Sequence, residues 1–353
     1  MKKKKVLILG GAGFIGFGIA KRLVERGIYD ITIADLLFDW QIDSTFKTFV
    51  NENNIKLIKG DFTDPALFKG LDKDYDYCYF MAAVVGVNRC LEHPEEVITI
   101  NAILTLNVLE WLKQTNVNKV VFASSSECYA GTTSSFDYKI PTDEAVPLCV
   151  DDIKHPRFTY AVTKMFGESA FLTCADAYGF DATVVRYQNA YGPRMGFKHA
   201  IPHIIERFIK GESPFRIYGY DQTRAFCYLS DSAEGTILAV ENDNSSGEIY
   251  HIGTDNEITI EELVKNIGQI FGYKGNYTHE ETYPGSVSRR CPDISKAKKE
   301  LGYSPKVSLI DGLTATIEWY KDFFSQDRQI HSGGFVPPEG LKTILDKGRN
   351  DAD

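Results

Sequence analysis

The sequence lacks any apolar run near the about 18 residues that a membrane-spanning helix needs. It also has no Cys-x-x-Cys and no surplus of positive charge. Each absence removes a class of function. Without the apolar run, no membrane span is predicted. A net charge of −9 argues against nucleic acid or an anionic membrane as the main partner. The seven cysteines (78, 90, 128, 149, 174, 227 and 291) are odd in number and scattered, which predicts reduced thiols in the cytoplasm rather than a disulfide framework. Histidine is sparse too. His199 and His203 lie four apart, but Pro202 intervenes and no Cys or carboxylate completes a ligand set, so no metal site is predicted. The opening MKKKK precedes only VLIL before glycines follow, too little for a secretory leader, and reads as a lead-in to a first strand. What remains is ordinary globular composition, 43% hydrophobic and 25% charged over 353 residues. That length predicts two lobes.

Apolar runs alternate with amphipathic stretches through the first half. Strands are predicted at 5–10, 30–35, 55–61, 75–83, 117–125 and 181–189. Several are continuous β-branched and aromatic runs, the pattern of strands covered on both faces. Helices are predicted between them, at 15–27 and 97–114 among others. The fold class expected from this βαβ order is α/β, a Rossmann-type doubly wound parallel sheet with a smaller C-terminal α/β substrate lobe. Residues 1–189 form the predicted dinucleotide domain, with 225–256 returning to it. Residues 190–224 and 257–325 form the smaller lobe, with helices at 200–212, 258–272 and 295–302 and a strand at FRIYG. Thr259 and Glu262 predict a capping box. The Gly/Pro-rich, charged segment 326–353 reads as a tail.

LILGGAGFIG places Gly10, Gly13 and Gly16 between a strand and a helix. Glycine there allows a tight turn, close approach of backbone to a pyrophosphate, and helix–strand packing. Asp35 ends the next strand about 20 residues on. A carboxylate there accepts bonds from the adenosine ribose and repels a 2′-phosphate, so NAD is the expected cofactor. Asp61, in GDF after the third strand, is placed to meet the adenine edge.

YAVTK puts Tyr160 and Lys164 on one face of a helix. A tyrosine ionises near pH 10, and a neighbouring ammonium together with a cationic nicotinamide favours the phenolate. Tyr160 then accepts a hydroxyl proton, and Ser125 donates to the developing carbonyl oxygen.

With these residues in view, the chain resembles the extended short-chain dehydrogenases, the nucleotide-sugar epimerase/dehydratase family. The resemblance runs from Val6 to about Tyr320. It rests on GGAGFIG, Asp35, GDF, MAA at 81–83, the serine strand, YAVTKMFGE, NAYGPR, QTRAFCYLSD, IYHIG and RRCPDISKAKKELGYSP. It implies an NAD-dependent enzyme acting on a UDP- or GDP-linked sugar, with Ser125, Tyr160, Lys164 and Glu127 as catalytic residues. Phe14, Ile15, Phe62, Met81, Ala82 and Ala83 join the glycines and aspartates at the cofactor, as do Tyr160 and Lys164. Ser126, Asn189, His199, Arg224 and Arg290 fall on the substrate side, the arginines because their planar fork binds phosphate oxygens in pairs. Family members commonly pair two helices across a two-fold axis, here 97–114 and 158–178, which implies a homodimer. The chain departs from the pattern at Ala130, where glycine is usual, at Phe17-Gly18, at Tyr283, and in the apolar VVGVN after MAA.

Oxidation of the sugar at C4 opens several reactions, and Glu127 bears on the choice. Returning the hydride to the other face gives a 4-epimerase. A carboxylate near the ketone assists 3,5-epimerisation, 4,6-dehydration, or decarboxylation when C6 is a carboxylate. Ser125-Ser126-Glu127 resembles UDP-glucuronate decarboxylases and GDP-mannose-type dehydratases, and Arg290 before Cys-Pro-Asp again resembles the decarboxylases. Lys198 and His199 offer a second acid or base opposite Glu127. Epimerisation is the leading expectation. Decarboxylation, GDP-hexose dehydration and 4-dehydrogenation are alternatives, and a non-catalytic dinucleotide-binding scaffold is a remote one.

Overall fold

The computed structural model describes residues 2–37, 43–197, 199–282 and 286–325. Lys198, Tyr283 and the tail 326–353 lie outside the described residues.

In chain order the first half gives β1 (Lys4–Leu9), α1 (Phe14–Arg26), β2 (Tyr29–Asp35), α2 (Ser44–Glu52), β3 (Lys56–Lys59), β4 (Tyr77–Phe80), α3 (Val87–Glu92) and α4 (Pro94–Leu112). It continues with β5 (Lys119–Ser125), α5 (Ala130–Ser135), α6 (Thr159–Tyr178) and β6 (Asp181–Tyr187). The second half holds β7 (Ala190–Tyr191), α7 (Ala200–Ile209), β8 (Phe215–Tyr218), β9 (Thr223–Ala225), β10 (Cys227–Tyr228), α8 (Leu229–Glu241) and β11 (Ile249–Ile252). After these come β12 (Glu257–Thr259), α9 (Ile260–Phe271), β13 (Tyr277–Glu280), β14 (Arg289–Arg290), α10 (Ser295–Leu301) and α11 (Leu309–Ser325).

Seven strands form one sheet in the order β11-β6-β5-β4-β1-β2-β3, and every pairing in it is parallel. Alternate strand residues feed two separate cores. Val6, Ile8, Tyr79 and Val121 face one layer, whereas Leu7, Leu9, Phe80 and Phe122 face the other. This is the period-2 geometry of a strand buried on both sides. The order reverses between β1 and β4, so a crevice opens at their carboxyl ends.

The smaller lobe has its own apolar core, built from Ile201, Ile205, Phe215, Ile217, Leu263, Ile267 and Leu313 among others. Its three-stranded sheet β12-β9-β14 sets Arg290 beside Arg224 in register. The Thr259–Glu262 capping box at the start of α9 is present in both directions. Among the described residues, no helix is long and apolar enough to cross a membrane.

Candidate active site

The glycine loop fits a dinucleotide. Gly10 has φ +82°, and a Cβ on it would lie 2.6 Å from the Ala82 nitrogen. A Cβ on Gly16 would lie 2.2 Å from the Gly10 oxygen, so only glycine lets the loop fold against MAA. Gly13 caps α1 with backbone alone, and no acidic side chain occupies the first turn. The amides of Phe14, Ile15 and Gly16 therefore open a helix N-terminus suited to a pyrophosphate.

Gly10, Gly13, Asp35, Asp61, Phe62, Met81, Ala82 and Ala83 line one cleft with Arg89, Phe197 and His199. Asp35 is buried and accepts from the Ala12 amide at 3.0 Å and the Leu37 amide at 3.3 Å. Burial raises its pKa in spite of these backbone bonds. Asp61 accepts from the Thr63 amide at 3.0 Å. These residues would hold NAD, whose chemistry when bound is to take a hydride and return it.

Ser125 ends β5, and its hydroxyl accepts from the Glu127 amide at 3.2 Å. The Tyr160 phenol lies near that hydroxyl, which acts to lower its pKa. Two features bring α6 so close. Gly167 faces Phe122, and a Cβ there would lie 2.1 Å from the ring. Beneath the site, buried Glu168 accepts from Arg186 at 2.9 and 2.8 Å and from the Ser124 hydroxyl. Tyr160, Lys164 and Glu168 follow one another at four-residue spacing along one face of α6. Breaking the buried Glu168–Arg186 pair would cost about 3–5 kcal/mol.

The Lys164 ammonium lies 5.6 Å from the Tyr160 ring centroid and 4.9 Å from that of Phe122. Burial brings its pKa down to about 8, partly offset by Cys128 and Glu168. Tyr160 differs from expectation. Burial raises its pKa, as do the neighbouring Cys128 and Glu127, and the Ser125 hydroxyl only partly opposes them. The protein alone therefore leaves the phenol protonated, because desolvation outweighs the Ser125 hydroxyl.

Glu127 accepts from Arg290 at 2.5 Å. The arginine side chain is 7% exposed and the glutamate 25%. Burial by itself would raise the Glu127 pKa, but the Arg290 charge and bond, reinforced by Arg157 and Arg224, outweigh it and hold the carboxyl below its usual range. Among the described residues, the Arg290 Nε and Nη2 are buried without a hydrogen-bond partner. Arg224 is spent on backbone carbonyls, those of Thr223 at 2.7 Å and Val287, and burial beside Arg290 lowers its pKa to about 10.

The remaining expected residues fall in different places. Ser126 is buried. Asn189 takes φ +40° and donates to the Ala225 carbonyl at 3.2 Å, tying the two lobes together. His199 lines the dinucleotide cleft with its pKa lowered by burial. Among the described residues, no hydrogen bond joins His199 to Glu127.

The departures from the family pattern have local causes. Ala130 takes φ −56°, where glycine is not required. Gly18 lets Leu229 of α8 approach within 2.7 Å of a would-be Cβ. Phe17 packs on Phe46 and Phe49. Sequence reasoning missed Arg157, whose Nε is buried without a hydrogen-bond partner among the described residues. The signal was its position three residues before Tyr160, one helical turn away.

The chain matches the NAD dependent epimerase/dehydratase family over residues 6–253. It is 31% identical over 325 residues to a putative UDP-glucose 4-epimerase of Methanocaldococcus jannaschii, covering 90% of this chain and 98% of that one. It is 33% identical over 330 residues to the UDP-N-acetyl-alpha-D-glucosaminuronate decarboxylase of Bacillus cytotoxicus, covering 91% and 98%. Its fold is similar, with a TM-score of 0.78 and 28% identity, to the UDP-glucose 4-epimerase of Thermotoga maritima solved with UDP-glucose. That likeness covers 91% of this chain and 99% of the other.

Proposed function

The chain belongs to the NAD dependent epimerase/dehydratase family, and from that premise we propose that it is a 4-epimerase of a UDP-linked sugar. Tyr160 takes the proton of the C4 hydroxyl, Ser125 holds the oxygen, and Lys164 supplies the positive charge that favours phenolate once the site is loaded. The observation that carries this reading is the Arg290–Glu127 pair. A base has to bind its proton with a pKa near the working pH, and Glu127 is held below the usual carboxylate range. Chemistry at C3 or C5 then has no free carboxylate, whereas inversion at C4 needs none. A 4,6-dehydratase also needs a carboxylic acid that can donate, which argues against that reaction.

Decarboxylation of a UDP-linked hexuronate is the second reading. It is favoured by the arginines around Glu127 and by the likeness to the Bacillus cytotoxicus decarboxylase. Product analysis by NMR in deuterated water separates the two. An epimer at C4 with no deuterium at C3 or C5 is expected. Release of carbon dioxide from UDP-glucuronate would replace the first reading with the second, and Glu127→Gln should leave C4 inversion within about tenfold of the parent.

A homodimer is part of the same reading. α4 packs along α6, yet Ile98 and Leu106 on α4 and Phe166 on α6 remain exposed, Leu106 by 54%. Unpaired apolar side chains on two adjacent helices suit a second copy.

A further inference from the structure

We propose that Arg194 is a positioning residue for the cofactor. By pairing with Asp43 over the ring of Phe17, it ties the segment between β7 and α7 to the adenosine side of the dinucleotide domain and slows the release of NAD. The role is the same whichever reaction follows oxidation at C4. Arg194 is the last residue of NAYGPR, just beyond β7. Its Nη1 donates to the Asp43 carboxylate at 2.5 Å, and the two side chains are only 8% and 10% exposed. Its guanidinium carbon lies 4.7 Å from the centroid of the Phe17 ring and 6.0 Å from that of Phe46, within reach of a cation–π contact. Phe17 is one of the places where the chain departs from the family pattern, so the ring beneath Arg194 is a feature of this chain rather than of the shared fold.

Asp43 is itself fixed. It caps α2, with Oδ1 accepting from the Phe46 amide at 2.8 Å while Oδ2 takes Arg194. Helix α2 follows β2, whose last residue is Asp35, the carboxylate placed to meet the adenosine ribose. Two residues beyond Arg194 the same segment reaches the cofactor. Gly196 and Phe197 line the cleft with Gly10, Gly13, Asp35 and Asp61, and His199 joins them. Other attachments of this segment are to the smaller lobe. The Tyr320 hydroxyl of α11 donates to the Met195 carbonyl, and the Phe197 ring packs against those of Tyr320 and Phe323 at 5.4 and 5.0 Å. Arg194 takes φ +69°, a conformation that a residue other than glycine keeps only where its surroundings impose it. The cleft wall is thus fastened to α11 by rings and to the dinucleotide domain through Arg194. Removing the guanidinium loosens the second attachment and leaves the first in place.

The test is the release of NADH from the loaded protein, followed by its fluorescence after addition of excess NAD. Arg194→Met is expected to raise the dissociation rate constant about 10- to 100-fold and to change the association rate constant by less than about threefold. ADP-ribose, which keeps the adenosine side and lacks the nicotinamide, should be weakened as much as NADH in calorimetric titration of the stripped protein. Arg194→Lys keeps the charge without the planar fork, and its release rate should fall between those of the parent and the methionine variant. Asp43→Asn combined with Arg194→Met removes both charges and keeps a residue that caps a helix; it carries the test if the single variant does not fold. A fall in Tm with both rate constants within about threefold of the parent would make the pair a structural brace and overturn the proposal. Weakened NADH with ADP-ribose unchanged would overturn it too, by moving the effect to the nicotinamide end.

Discussion

Lys164→Met should make the protein more stable while abolishing its activity. Lys164 is 4% exposed, and burial brings its pKa from 10.5 down to about 8. At about 1.36 kcal/mol per pH unit, holding this ammonium in the folded state costs about 3 kcal/mol. The unfolded chain binds the proton more tightly, so the cost is complete below pH 8, shrinks between pH 8 and 10.5, and is gone above that window. Methionine keeps the length of the stem and removes the charge. With NAD stripped, so that ligand linkage does not enter, the variant should gain about 2–3 kcal/mol at pH 7, seen as a rise in Tm of about 3–4 °C. Urea titrations of both proteins at several pH values between 7 and 10.5 provide the assay. The difference should fall steadily towards zero as the pH rises. A variant less stable than the parent at pH 7, or a difference that does not move with pH, would refute the reasoning. The charge is kept at this cost because Tyr160 needs a cation beside it when it gives up its proton.

Two further outcomes follow from the geometry. Gly16→Ala would set a methyl group against the Gly10 oxygen, where a Cβ lies at 2.2 Å, and should weaken NAD binding by at least about tenfold, read as bound nucleotide per chain after purification. Leu106→Glu, on the exposed face of α4, should convert the proposed dimer to a monomer in light scattering at micromolar concentration, with Tm changed by no more than a few degrees.

How much of this was legible in the sequence depended on the range of the interaction. β5 and β6 were readable because both of their faces are buried, which writes itself as the continuous runs VVFA and TVV. The first helix was readable because Ile19, Ala20 and Leu23 are buried while Lys21 and Glu25 are not. α8 was not. Its buried side mixes Ala233, Ile237 and Val240 with Asp231, Ser232, Gly235 and Thr236, small and polar residues that dilute the apolar stripe. Ser125, Tyr160 and Lys164 were visible because a strand end and one helix face fix them locally. That Burial would raise Tyr160 was not visible, since it follows from how β5, α6 and the smaller lobe close together.

Glu127 shows the limit most clearly. From the stretch SSSECYA it reads as catalytic, although a carboxylate beside a serine strand is also compatible with a loop residue. The partner that sets its proton affinity is Arg290, 163 residues away in the chain and delivered by a two-residue strand paired to β9. A carboxylate clamped in this way is a poor base for as long as the clamp holds. Its reactivity is therefore a property of residue 290 as much as of residue 127. Any variant that loosens Arg290 should raise the Glu127 pKa and reopen proton chemistry next to the ketone, so the reaction this site performs is decided at the join between its two lobes.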